Sequence, residues 1–163
     1  MPQSKRKHRV KIVSYNVNGI RARLERLIEY LSEQQPDVVC LQELKAADDG
    51  FPIDDIRAAG YGAAWHGQKG FNGVAILAKG DSPELRRVGL PGDPDDTHSR
   101  YIEAEVRGLI VASIYLPNGN PIGTEKFDYK LRWMERLGEH GSRLRPGLLR
   151  CSRFIERARS SMS

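Results

Sequence analysis

The stretch VKIVSYNVNGIRARLERLIEYLSEQQPDVVCLQE, residues 10–43, decides the fold. Its first eight residues are apolar and β-branched, and they read as a strand ending at the turn signal Asn18-Gly19. Ile20, Leu24, Leu27, Ile28 and Leu31 then recur at helical spacing, and Pro36 ends that helix. DVVCLQE, residues 37–43, is a second strand, apolar on both faces up to Gln42, as in the middle of a sheet covered on both sides. Strand, helix and strand in this order predict a parallel crossover unit and an α/β protein.

Downstream of Lys45 comes an acidic loop, and Pro52 stands where a short helix, IDDIRAAG, can begin. YGAAWH (61–66) and NGVAILAK (72–79) are strands around a glycine-rich turn, GQKGFNG. A loop rich in Pro, Gly and Asp spans roughly 89–98. RYIEAEV (100–106) places Ile102, Ala104 and Val106 on one face and Tyr101, Glu103 and Glu105 on the other. LIVASIYLP (109–117) is a further strand, and Phe127, Leu131, Met134 and Leu137 mark a helix over 124–140. These elements predict a mixed sheet of about six strands between residues 10 and 115, with both helices on one face. Residues 1–9 read as a basic leader and 141–163 as an arginine-rich tail that packs poorly.

Composition narrows the class. With 39% hydrophobic and 29% charged residues, the 163-residue chain reads as about one soluble globular domain. No apolar run reaches the roughly 18 residues of a membrane span, and the basic N-terminus lacks a cleavage-site pattern. Two cysteines, Cys40 and Cys151, make neither a disulfide framework nor a four-thiolate zinc site, so a reducing, cytoplasmic setting is expected. The net charge of +5 comes from the ends: residues 1–11 and 141–163 each carry +5, and the chain between them carries −5. Such basic ends are either solvated termini or arms for a polyanion.

Chemistry-bearing residues stand at the strand ends. Asn16 closes the first strand and Glu43 the second, and adjacent parallel strands bring these ends together, where open α/β sheets bind ligands. A carboxylate beside an amide carbonyl is a hard-oxygen set suited to Mg²⁺ or Mn²⁺. Spacing alone favours a turn-capping Asn16 and a surface Glu43 over a metal site. Tyr115 follows the LIVASI strand and can aim its hydroxyl into a cleft or sit as an interfacial aromatic. GQKGFNG is neither G-x-G-x-x-G nor a P-loop. As a hairpin turn it presents Lys69 to a phosphate and Phe71 to a base, or it simply packs its aromatic underneath. None of the four histidines belongs to H-E-x-x-H, no G-x-S-x-G is present, and all four read as structural or solvated.

Four blocks then occur in order: IVSYNVNGIRA (12–22), PDVVCLQELK (36–45), the GY…HGQKGFNGVAIL block (60–77) and YLPNG (115–119). Together they resemble the endonuclease/exonuclease/phosphatase family in its exodeoxyribonuclease III-like branch, the abasic-site DNA repair nucleases. The resemblance runs from about residue 10 to about residue 140. It implies the N-terminal half of a two-sheet α/β sandwich. By position, Glu43 matches the metal-binding glutamate, Asn16 the asparagine beside the metal, and Tyr115 the tyrosine that approaches the scissile phosphate. Asn118 matches a polar residue near the phosphate, Arg100 a basic residue near the DNA, and Lys69 and Phe71 a DNA-contacting loop. The implied reaction is Mg²⁺-assisted phosphodiester hydrolysis, with Mn²⁺ as the alternative ion, on double-stranded DNA with abasic sites or 3′ ends.

The family pattern continues with G-D-x-N and S-D-H blocks that do not occur in residues 1–163. Two expectations follow: an enzyme by family that is catalytically incomplete as it stands, or an inactive fragment keeping part of a DNA-binding surface. A half-fold would also leave one sheet face uncovered and open to self-association.

Overall fold

The computed structural model describes residues 9–144. The leader up to residue 8 and the expected tail from residue 145 onward lie outside the described residues, as does most of the expectation that the tail packs poorly; its first residues, 141–143, instead continue the last helix.

Among the described residues, seven strands and three α-helices follow one another as β1 (Ile12–Asn16), α1 (Leu24–Gln34), β2 (Val38–Gln42), α2 (Ile53–Ala58), β3 (Tyr61–His66), β4 (Val74–Lys79), β5 (Glu84–Val88), β6 (Tyr101–Val106), β7 (Leu109–Ile114) and α3 (Glu125–Arg143). β1 runs parallel to β2 through the α1 crossover, as the opening stretch dictates. β4 pairs antiparallel with both β2 and β3, giving a four-stranded sheet in the order β1-β2-β4-β3. β5, β6 and β7 form a second, antiparallel sheet.

The two sheets pack face to face. Val38 and Cys40 of β2 and Val74, Ile76 and Ala78 of β4 meet Ile102, Ala104 and Val106 of β6 and Val111 of β7. The alternate residues of the first sheet, Val39, Leu41, Ala75 and Leu77, face outward and are covered by Leu27 and Leu31 of α1 and Ile56 of α2. Apolar residues on both faces of β2 and β4 are therefore what a middle layer requires. On the outside of the second sheet, Tyr101 packs with Trp133 of α3, joined by Ala112, Ile114, Tyr129 and Leu137.

The two-sheet α/β class is as expected, but its layering differs. Instead of one sheet of about six strands with both helices on one face, there are two sheets, with α1 and α3 on the outer faces of different sheets. The chain leaves the first sheet at Gly80 (φ +60°), and the alternation of β6 was compatible with membership in either sheet. β5, ELRRV, is exposed along its whole length; it pairs with β6 through a register shift between Leu85 and Arg87, which sets Leu85 opposite Ala104 and Val88 opposite Ile102 and so breaks the two-residue alternation that would mark a strand. The uncovered sheet face is also corrected: among the described residues each inner face covers the other. Among the described residues, what stays open is both edges of each sheet, since β1, β3, β5 and β7 each pair with one strand alone.

Candidate functional site

Parallel pairing sets Asn16 opposite Gln42, so the chain leaves β1 and β2 side by side. The pairing continues past both strands: Val17 N–H donates to Gln42 O (2.9 Å), Gly19 N–H to Glu43 O (2.8 Å) and Ile20 N–H to Leu44 O (3.0 Å). Glu43 (φ +56°) and Lys45 (φ +53°) both lie in the left-handed region. For non-glycine residues this costs on the order of 1 kcal/mol or more each and persists only where surroundings enforce it. Here the enforcement comes from the 72–73 backbone, whose carbonyls accept Lys45 N–H (3.0 Å) and Leu44 N–H (3.2 Å). Gly73 (φ +91°) permits that approach, because a Cβ there would stand 2.7 Å from Leu44 Cβ.

This backbone presents one carboxylate to three donors. Asn16 Nδ2 donates to Glu43 Oε1 at 2.8 Å and Tyr115 Oη to the same oxygen at 2.7 Å. Lys45 Nζ lies 3.3 Å from Glu43 Oε2 and also donates to Asn18 Oδ1. Asn16 caps its turn as well, since its Oδ1 accepts Asn18 N–H at 3.0 Å. Burial opposes ionisation of Glu43, but hydrogen bonds from Asn16, Tyr115 and Lys45 outweigh it and hold the carboxyl below its usual range. Tyr115 moves the other way. Burial, reinforced by the Glu43 carboxylate, pushes its phenol up to about 12, so it remains a neutral donor at physiological pH.

Arg100 supports the tyrosine from behind. Its guanidinium carbon stands 4.9 Å from the centroid of the Tyr115 ring, and its Nη1 donates to Tyr115 O at 3.4 Å. Its Nε is buried with no hydrogen-bond partner among the described residues. Beneath the cluster, Gln42 Nε2 donates to Ser14 Oγ (3.1 Å) and Cys40 O (3.2 Å), while Ser113 Oγ donates to Leu41 O (2.8 Å) and ties β7 to β2.

Asn16, Glu43 and Tyr115 are thus brought together as expected. Asn118 is exposed; its Oδ1 accepts from Asn120 Nδ2 (2.8 Å) and its carbonyl from Lys130 Nζ (3.2 Å). Lys69 and Phe71 project from the 67–73 turn, with Phe71 55% exposed, so the aromatic points outward and does not pack beneath the turn. Sequence reasoning missed Lys45 and Asn18, although both lie inside the blocks already singled out. It also missed Gln68 and Ser99, whose contacts are described below. The histidines expected to be structural include His98, which bonds Asp96, and His140, which bonds Glu103.

Among the described residues no group of three or more His, Cys, Asp or Glu side chains gathers in metal-binding geometry. Glu43 is a single charged carboxylate on a partly exposed rim, which suits a hard cation that keeps most of its water and takes further oxygens from a phosphate.

A profile of the endonuclease/exonuclease/phosphatase family matches residues 13–151. The chain belongs to that family. It is 39% identical to exodeoxyribonuclease III of Haemophilus influenzae over 136 residues, which are 80% of this chain and 51% of that protein. An AP endonuclease from Archaeoglobus fulgidus superposes with a TM-score of 0.74 at 42% identity, over 79% of this chain and 49% of that one. A 3′ phosphatase from Neisseria, bound to a product DNA hairpin, superposes with a TM-score of 0.77 at 39% identity, over 80% and 51%. The chain thus spans about half the length of these relatives.

Proposed function

We propose that these residues form part of a metal-dependent DNA phosphodiesterase of base-excision repair, with 3′–5′ exonuclease and abasic-site endonuclease chemistry. The observation that carries this reading is the Glu43 carboxylate, kept charged by Asn16, Lys45 and a neutral Tyr115 at the carboxyl ends of β1 and β2. The relatives' names support it, and one of them is seen with DNA.

Glu43 would hold the ion, Mg²⁺ or alternatively Mn²⁺, and Asn16 would fix the carboxylate's orientation. The bound ion would polarise a phosphoryl oxygen and stabilise the leaving oxygen. Tyr115 stays neutral and donates a hydrogen bond, so its hydroxyl can serve a phosphate oxygen as it serves Glu43 Oε1. Arg100 and Asn118 would face the backbone of double-stranded DNA carrying an abasic site or a 3′ end, with Lys69 and Phe71 at the flank. The proposed setting is the cytoplasm, where the thiol of Cys40 stays reduced between the sheets.

Residues 1–163 hold no G-D-x-N or S-D-H block, which favours a second reading: a DNA-binding surface without turnover. In the family these blocks supply the aspartate that orients the water and the histidine that completes the site. Loss of a general base costs about 10²–10⁴-fold. Cleavage of an abasic duplex by the purified chain, with and without Mg²⁺, separates the readings. A rate at least about 10³-fold below that of an intact relative fits incompleteness. Robust Mg²⁺-dependent cleavage abolished by Glu43→Ala refutes incompleteness and keeps the phosphodiesterase.

A further inference from the structure

The turn between β3 and β4 is braced far more heavily than a solvent-facing loop requires. Lys69, Gly70 and Phe71 are exposed at its tip, while Asn72 at its base is 3% exposed. Gln68 Oε1 accepts two hydrogen bonds, from Asn72 Nδ2 at 2.8 Å and from the backbone N–H of Ser99 at 3.0 Å. Ser99, 1% exposed, donates its Oγ to Gly67 O at 2.8 Å. On the other flank Gly70 N–H donates to Lys45 O (3.2 Å) and Lys45 N–H to Asn72 O (3.0 Å). The turn is thus tied through two backbone bonds to Lys45, the residue whose side chain pairs with Glu43.

Two features of this arrangement point to a ligand. An aromatic 55% exposed at a fixed turn contributes little to folding, yet the fold spends buried polar contacts on holding it. A pre-ordered loop also loses less entropy when it meets a partner. We propose that Gln68 is a positioning residue: its side-chain oxygen clasps Asn72 and Ser99 so that Phe71 and Lys69 stand at a set place beside Glu43 and engage a DNA duplex. This rests on the phosphodiesterase reading above. Phe71 would wedge or stack at the abasic position while Lys69 meets a flanking phosphate.

Gln68→Met keeps length and volume but removes the acceptor, leaving two buried donors unsatisfied. Trypsin cleavage after Lys69 in the folded chain should then accelerate about thirtyfold, the effect of two lost hydrogen bonds on local opening. Gln68→Glu retains the acceptor and should cleave at the wild-type rate. Ser99→Ala should show the same trend, more weakly, and serves if Gln68→Met lowers overall stability. In parallel, the full chain is titrated into a fluorescein-labelled duplex with a tetrahydrofuran abasic analogue, read by anisotropy. Gln68→Met should weaken binding about tenfold, but by less than about twofold in a Lys69→Ala/Phe71→Ala background, because the clasp acts through those two side chains. Equal trypsin rates for Gln68→Met and wild type would overturn the clasp. An affinity loss undiminished in the double-alanine background would overturn the positioning role. Faster trypsin cleavage together with no duplex binding by the wild type would leave the clasp standing and overturn the DNA reading and the positioning role with it.

Discussion

Replacing Tyr115 by Phe removes one hydroxyl and keeps the ring under Arg100, so its effect isolates a single hydrogen bond. That bond is 2.7 Å long and ends on an ionised carboxylate, and such bonds contribute about 1.5–3 kcal/mol, against about 1 kcal/mol for neutral pairs. Glu43 keeps Asn16 and Lys45 after the substitution, so no buried charge is stranded and the lower figure applies. Tyr115→Phe should therefore destabilise by about 1.5 kcal/mol at pH 7, or roughly 3–6 °C in melting temperature for a chain of this size. In a Glu43→Gln background the partner is neutral, and the same change should cost only about 0.5 kcal/mol. The coupling of about 1 kcal/mol is read from a double-mutant cycle of urea unfolding curves on the four proteins. An equal cost in both backgrounds would show that Tyr115 does not bond the Glu43 carboxylate in solution and would dismantle the site as described.

Ile76, fully buried between the sheets, should cost about 3–5 kcal/mol when changed to Ala, measured by chemical denaturation; a loss under about 1 kcal/mol would mean that the sheets do not pack face to face. Asp96, 4% exposed, accepts from Arg136 (2.8 Å) and from Tyr129 and His98, and these donors outweigh burial to lower its pKa from 3.8. A depressed carboxyl stabilises above its unfolded pKa and loses that contribution as pH falls through the folded one. Asp96→Asn should thus cost about 3 kcal/mol at pH 6, and the difference should close as pH drops below the ordinary carboxylate value. A difference independent of pH would exclude the ionised latch.

The β1–α1–β2 unit was legible because its signals are local. Period-3.6 leucines and Pro36 mark α1, and the doubly apolar run of β2 marks a covered strand. The convergence of Asn16 and Glu43 follows from parallel pairing, and the structure shows it as a 2.8 Å contact. Which sheet a strand joins is not local. The alternation of β6 fixes which residues share a face, but the neighbour across that face is chosen by pairing partners far along the chain. β5 was invisible because the register shift between Leu85 and Arg87 spaces its two apolar residues three apart, so the exposed edge strand shows no two-residue alternation. Tyr115 stood out by its place at a strand end, but its bond to Glu43, 72 residues away, has no local signal, and only the family resemblance implied a place for it at the same site. Gln68 and Ser99 had no signature either, since a side chain bonding a backbone 31 residues away leaves no period in the sequence. Lys45 stood in plain view within the second block, and only its left-handed backbone, visible in three dimensions, shows why it meets Glu43.

On the proposed function, Glu43, held by Asn16, Lys45 and Tyr115, is where a divalent cation enters. Substoichiometric Mn²⁺ added to the isotopically labelled chain, with abasic duplex present, tests this by paramagnetic broadening of amide signals. The Asn16 side-chain amide and the backbone amides of Glu43 and Leu44 should broaden first, and Glu43→Gln should abolish the effect. Broadening centred instead on the acidic loop of Asp93, Asp95 and Asp96, or persisting unchanged in Glu43→Gln, would contradict that reading.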